Sequence, residues 1–126
     1  MALERKRPEI EFPEGEPPTA LVVTDEIVGD GPEASSGSTV TAHYVGVAFS
    51  TGEEFDASWN RGEPLRFRLG VGQVIPGWDQ GISGMRVGGR RRLVIPSALA
   101  YGERGAGGAI GPNETLIFVV DLVDAS

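Results

Sequence analysis

The chain has 126 residues, a length that suits one domain able to bury a working core without staples. It contains no cysteine, which excludes disulfides, thiolate nucleophiles and cysteine-based metal sites. A net charge of −7 argues against nucleic acid and anionic membrane as partners, and no apolar run approaches the ~20 residues of a membrane span.

Residues 1–19 hold Pro8, Pro13, Pro17 and Pro18 among Glu4, Glu9, Glu11, Glu14 and Glu16. Such a composition buries too little apolar surface to offset its ordering entropy, which predicts a flexible arm ahead of a domain over 20–126. Ile10 and Phe12 are the arm side chains able to dock on that domain. The charged start of the chain is not followed by an apolar stretch, so no secretory signal is visible and a cytoplasmic protein is expected.

Leu21–Thr24 and Glu26–Val28 read as short strands, followed by the turn residues Gly29-Asp30-Gly31-Pro32. Thr39–Phe49 reads as a strand with Val40, Ala42 and Tyr44 on one face and Thr41, His43 and Val45 on the other. Ser50-Thr51-Gly52 turns the chain into a hairpin, where the adjacent Glu53 and Glu54 point apart and form no carboxylate pair. Arg66–Leu69 is a further short strand.

The segment Gly70–Asp79 then places Trp78 behind the β-branched pair Val74-Ile75 and the Pro76-Gly77 turn. A tryptophan so placed can floor an apolar cavity for an uncharged ligand. Pro76 suits a first helical turn, and Trp78, Ile82 and Met85 fall at i, i+4 and i+7, which predicts one short helix broken up by Gly77, Gly81 and Gly84. Gly70-Val71-Gly72 with Gly77 lacks the spacing and the βαβ unit of a dinucleotide loop. Arg90–Ile95 is a strand that opens on a basic triplet, read as a solvated or ion-paired sheet face. Ala106–Ala109 reads as a flexible loop over the cavity. Thr115–Val123 is the clearest strand; both of its faces are apolar, which marks it as central. The sum is an α+β domain, an antiparallel sheet packed on one short helix. His43, the sole histidine, has no partners spaced for a metal, and no nucleophile accompanies Trp78, so neither metal nor cofactor is expected.

Six segments stand in sequence: His43-Tyr44-Val45-Gly46, Gly52–Ser58, Val74–Trp78, Met85–Gly88, Ala100-Tyr101-Gly102 and Thr115–Phe118. In their order and spacing they resemble the FKBP-type peptidyl-prolyl cis-trans isomerases over about residues 20–126, most of all the single-domain members with an acidic, Pro-rich N-terminal extension. The resemblance implies a twisted antiparallel β-sheet wrapped around one short α-helix. It implies a monomer that rotates Xaa-Pro bonds in proline-containing peptides and unfolded proteins, with macrolides such as rapamycin and tacrolimus as ligands of the same pocket.

Carried over position by position, the resemblance makes Trp78 the pocket floor and Tyr44, Phe55 and Phe118 its aromatic walls. The Ile75 N–H and the Tyr101 hydroxyl become ligand hydrogen-bond donors, and Asp56 a buried carboxylate paired with Tyr44 or Arg61. Leu65, Val74 and Ile110 complete the substrate-binding lining. Three positions depart from the commonest family pattern. Leu65 stands where a wall phenylalanine is frequent, Ala106 where the loop often offers a histidine, and Ala109 where it often has a bulkier aliphatic. The rim implied is smaller and less aromatic, with lower macrolide affinity. A non-catalytic proline- or macrolide-binding module of the same shape is the alternative reading.

Overall fold

The computed structural model describes residues 7–11, 15–107 and 109–126. Phe12, one of the two arm residues expected to dock, and Gly108 of the predicted loop lie outside the described residues.

Six strands form one sheet, antiparallel at every pairing: β1 (Val22–Ile27), β2 (Thr39–Ala48), β3 (Glu54–Ala57), β4 (Leu65–Arg68), β5 (Arg90–Ile95) and β6 (Leu116–Ala125). Their order is β1-β5-β6-β2-β3, and β4 also pairs with β2. The free edge of β2 is thus shared: its first residues pair with β4, and Val45–Val47 pair with β3. The strand with two apolar faces, β6, lies between β5 and β2 with Leu116–Leu122 buried, as its pattern predicts.

Two predicted elements merge. The separate strands at 21–24 and 26–28 are the single strand β1, because β5 runs beside it without a break and a register shift between Asp25 and Ile27 absorbs the irregularity. Three elements have no counterpart in the sequence reading, the shortest a 3₁₀ turn at Ser97–Leu99. Strand β3 and the helix α1 (Ser58–Arg61) hold four residues each, too few to display a period. Their support is tertiary. The Tyr44 N–H of β2 donates to Ser58 Oγ at 2.7 Å, and Ser58 is fully buried.

Helix α2 (Pro76–Ile82) begins at its proline as expected but stops before Met85. Gly84 takes the left-handed conformation (φ 88°), and Met85 still returns to the core at 2% exposure. The helix glycines do more than shorten it. A Cβ on Gly77 would lie 2.4 Å from Ile95 Cγ2, and one on Gly81 2.8 Å from Leu93 Cδ2, so this face rests directly on β5. Alanine favours a helix over glycine by ~1 kcal/mol, but overpacking costs about 1–3 kcal/mol. Gly77→Ala is therefore expected to lower the urea midpoint, and an unchanged midpoint would show that Ile95 can move aside.

Two members of the basic triplet, Arg90 and Arg91, are tied down locally. Arg90 holds the fully buried Asp121 of β6 with two hydrogen bonds, at 2.8 and 3.1 Å. Arg91 pairs with Asp25 of β1 and donates to the carbonyls of Gly81 and Ser83, at 2.9 and 3.1 Å, capping the end of α2. His43 Nδ1 lies 2.9 Å from Ser58 Oγ and its ring stacks on Trp59, with centroids 4.3 Å apart. Burial lowers its pKa, and the charge of Asp121 opposes that. No helix among the described residues is long and apolar enough to cross a membrane.

Candidate active site

Alternation along β2 sends Val40, Ala42 and Tyr44 to the same face, toward α2. Pro76 starts α2 immediately after Val74-Ile75, so Trp78 falls in the first helical turn and turns under the sheet. Its indole packs against Tyr44 (centroids 4.9 Å), Phe67 (5.6 Å) and Phe118 (5.2 Å), mostly edge-on, and Phe55 meets Phe118 edge-on at 5.4 Å. Such edge-to-face geometry sets each ring against its neighbour's face and holds the cluster rigid.

These rings enclose a hollow of about 390 Å³. It is lined by Tyr44, Phe55, Asp56, Leu65, Val74, Ile75, Trp78, Tyr101 and Phe118, all predicted, and by Gln73, which was not. Trp78 is 4% exposed and lies at the bottom. Ile110 is the predicted residue that does not line the hollow. Its side chain is 5% exposed within the core, and its backbone exchanges hydrogen bonds with Ala106 at 2.9 and 3.1 Å. Ile110 thus closes the loop that follows Tyr101, and Ala106 packs against the core in place of hanging free. Ala109 is exposed.

Gln73 carries a local signal only in hindsight. Its side-chain oxygen accepts the Arg68 N–H at 2.8 Å, which ties the loop ahead of α2 to β4. Asp79 does the same from the helix, accepting the N–H groups of Gly70 and Gly72 at 2.8 and 3.1 Å. Phe67, one of the three rings packed on the indole, carries only a strand signal in the sequence.

Asp56 departs from expectation. It was predicted buried with Tyr44 or Arg61 as partner; it has both partners and a side chain that is 43% exposed. Tyr44 Oη donates to Asp56 Oδ2 at 2.6 Å, and Arg61 donates to Asp56 Oδ1 at 2.8 Å and to Tyr44 Oη at 2.9 Å. The three side chains form a closed ring at the rim. The physical reason is the position of β3 on the sheet edge, where water can solvate a carboxylate that a sealed core would penalise.

Burial first, then the hydrogen bond to Asp56, raises the pKa of the Tyr44 phenol. Burial first, then the Asp56 charge, raises that of Tyr101. Both hydroxyls stay protonated at neutral pH; that of Tyr44 donates to Asp56, and that of Tyr101 is available as a donor. Among the described residues, neither the Tyr101 hydroxyl nor the Ile75 N–H has a hydrogen-bond acceptor. No group of three or more histidine, aspartate or glutamate side chains among them could hold a metal. The arrangement can enclose and hydrogen-bond an uncharged group; it holds no charged side chain at its floor.

Comparison with known proteins agrees with this geometry. The family model for the FKBP-type peptidyl-prolyl cis-trans isomerases matches residues 31–123. The chain is similar to an FK506-binding protein of Streptomyces anulatus, 69% identical over 119 residues that cover 94% of this chain and 96% of that one. It is also similar to the peptidyl-prolyl cis-trans isomerase FPR2 of Saccharomyces cerevisiae, 54% identical over 73% of this chain and 68% of that one. Among solved structures it matches AtFKBP13 with a TM-score of 0.79 and 45% identity, over 87% of this chain and 96% of that one.

Proposed function

The chain belongs to the FKBP-type peptidyl-prolyl cis-trans isomerases, and from that premise we propose how its residues divide the work of rotating an Xaa-Pro bond. The bond turns slowly because amide resonance opposes twisting, with a barrier of ~18–20 kcal/mol and times of tens to hundreds of seconds. No covalent bond has to break. Twisting removes double-bond character and draws charge off the carbonyl oxygen, so an apolar enclosure opposes the planar amide more than the twisted one. Each tenfold acceleration needs about 1.4 kcal/mol, so a preference of about 5–7 kcal/mol supplies roughly four to five decades. Apolar burial and one or two hydrogen bonds are of that order.

The observation that carries the assignment is the open hollow above Trp78 with nine of the predicted residues around it. In our reading the indole supports the proline ring, and Tyr44, Phe55 and Phe118 exclude water from its sides. Leu65 and Val74 contact the residues flanking proline. The Ile75 N–H and the Tyr101 hydroxyl donate to peptide carbonyls. Asp56, held by Tyr44 and Arg61, sets the local field and does not transfer a proton. Ile110 acts on this site through the loop it closes.

The same donors and hollow support binding of macrolides of the rapamycin and tacrolimus class, with Leu65, Ala106 and Ala109 leaving a smaller rim. We further propose a cytoplasmic monomer that acts on unfolded proteins and not on nucleic acid. A chain without cysteine gains nothing from an oxidising compartment, and its net charge of −7 repels a phosphate backbone.

The test is an NMR exchange or protease-coupled assay on Leu-Pro and Phe-Pro peptides. Tyr101→Phe is expected to lower kcat/KM about two- to tenfold, the equivalent of one hydrogen bond, mainly through KM. Its stability should not change, because Tyr101 is 41% exposed. With both phenols raised, kcat/KM should be flat from pH 6 to 8. Full activity in a Trp78→Phe, Tyr101→Phe double variant would place the site elsewhere. Peptide binding with no acceleration would leave a non-catalytic module.

A further inference from the structure

We infer that Arg7, on the N-terminal arm, is a positioning residue for this site, acting through the corner formed by β3 and α1; the inference rests on the roles proposed above for Asp56 and Arg61. The Arg7 guanidinium meets the Glu54 carboxylate on β3 and donates to Asn60 Oδ1 on α1. Asn60 Nδ2 in turn donates to Glu54 Oε2 at 3.0 Å, so the three side chains close a ring across the corner. The same two elements supply Asp56 and Arg61 to the second ring, whose third member, Tyr44, comes from β2. Glu54 and Asp56 are two apart on one strand, across a register shift against β2, and Asn60 and Arg61 are neighbours on a helix of one turn.

The corner is held to β2 by the pairing of β3, by Ser58 and by the stack of Trp59 on His43, while its outer side has little support of its own. It has eight residues, counted as four in β3 and four in α1. The N-cap of α1 is Ala57, which offers no side-chain hydrogen bond. A single helical turn does not persist without outside contacts. The arm provides one from a stiff backbone. Arg7 precedes Pro8, which confines it to extended conformations, and Pro8 is buried while Ile10 is half-buried. The two ends of the guanidinium fork meet Glu54 and Asn60 separately, a geometry a single ammonium does not offer. Partly exposed pairs of this kind contribute little to global stability, so the consequence falls on where Asp56 and Arg61 stand.

The experiment uses the full chain. At low salt, Arg7→Ala is expected to lower kcat/KM for a Phe-Pro peptide about threefold, the scale of one partly exposed ion pair, with an unchanged melting midpoint. Salt of about 1 M should bring the wild type down to the variant. Arg7→Lys should recover only part of the loss. Glu54→Gln should lose the same amount as Arg7→Ala, and the double variant no more than either. In the absence of substrate, the ¹⁵N NMR signals of the Arg61 side chain and the Asp56 amide should shift in Arg7→Ala. Unchanged activity, unchanged signals, or additive losses would each overturn the inference. A wild-type chain without isomerase activity would remove the functional reading instead, while the Arg61 and Asp56 signals would still decide whether Arg7 sets the corner.

Discussion

Trp78→Ala is expected to cost about 3–5 kcal/mol of stability and to lower kcat/KM at least about tenfold. The indole is 4% exposed and touches Tyr44, Phe67 and Phe118, so its removal takes away the surface on which three other rings rest. The cost is near the top of the range for core truncations, because the void opens into a hollow of about 390 Å³ that the neighbouring rings cannot fill by collapsing. Urea unfolding with the peptide assay separates the two effects. Trp78→Phe is the companion variant. It retains an aromatic ring and most of the stability while presenting a smaller floor, so its activity should fall more than its unfolding free energy. A stable Trp78→Ala with full activity would show that the indole neither supports the core nor touches substrate.

Asp121→Ala is expected to destabilise the chain by about 3–5 kcal/mol, a large share of the roughly 5–15 kcal/mol that holds a domain together. Asp121 is fully buried on the central strand and answers Arg90, whose side chain is 16% exposed. The cost comes from leaving the guanidinium in a low-dielectric place without this carboxylate, and not from the worth of the pair itself. The double variant Arg90→Met, Asp121→Leu should therefore recover most of the loss. The neighbouring Arg91–Asp25 pair is the control. Arg91 is no more exposed than Arg90, at 13%, but without Asp25 it keeps the carbonyls of Gly81 and Ser83 as acceptors; Asp25 is 39% exposed and replaceable by water, so Asp25→Ala should cost less than about 1 kcal/mol. Equal losses at Asp121 and Asp25 in urea titrations would contradict this account.

The elements that could be read in advance are those whose pattern is written along the chain. Leu116, Phe118, Val120 and Leu122 alternate with Ile117 and Val119, and that alone predicts a strand covered on both sides. Pro76 suits a first helical turn and Trp78 and Ile82 are spaced for one buried face, and the helix forms over Pro76–Ile82. The residues around Trp78 were legible because neighbours in sequence supply the floor and one wall, and because the six-segment resemblance extended the set to Tyr44, Phe55, Tyr101 and Phe118.

Other features depend on what lies across the sheet. Strand β3 exists because β2 offers it an edge, and four residues carry no period of their own. Asp56 could not be recognised as a rim residue without knowing that β3 would be that edge. Ile110 faces the core and Gln73 the hollow for reasons of loop closure, and neither direction is encoded in hydrophobicity. The glycines of α2 read as helix breakers, yet they serve the close approach of Leu93 and Ile95.

Sequence alone determined the periodic strands, the helix beneath the sheet, the indole at its start and the absence of thiol chemistry, because these depend on residue identity and short-range spacing. Tertiary structure alone decided the sheet order, the exposure of Asp56, the pairing of Asp121 with Arg90, the orientation of Ile110 and the contact of Arg7 with β3 and α1. Those pairings join groups far apart in the chain, 31 residues in the case of Arg90 and Asp121, and only the folded backbone brings such groups within hydrogen-bond range.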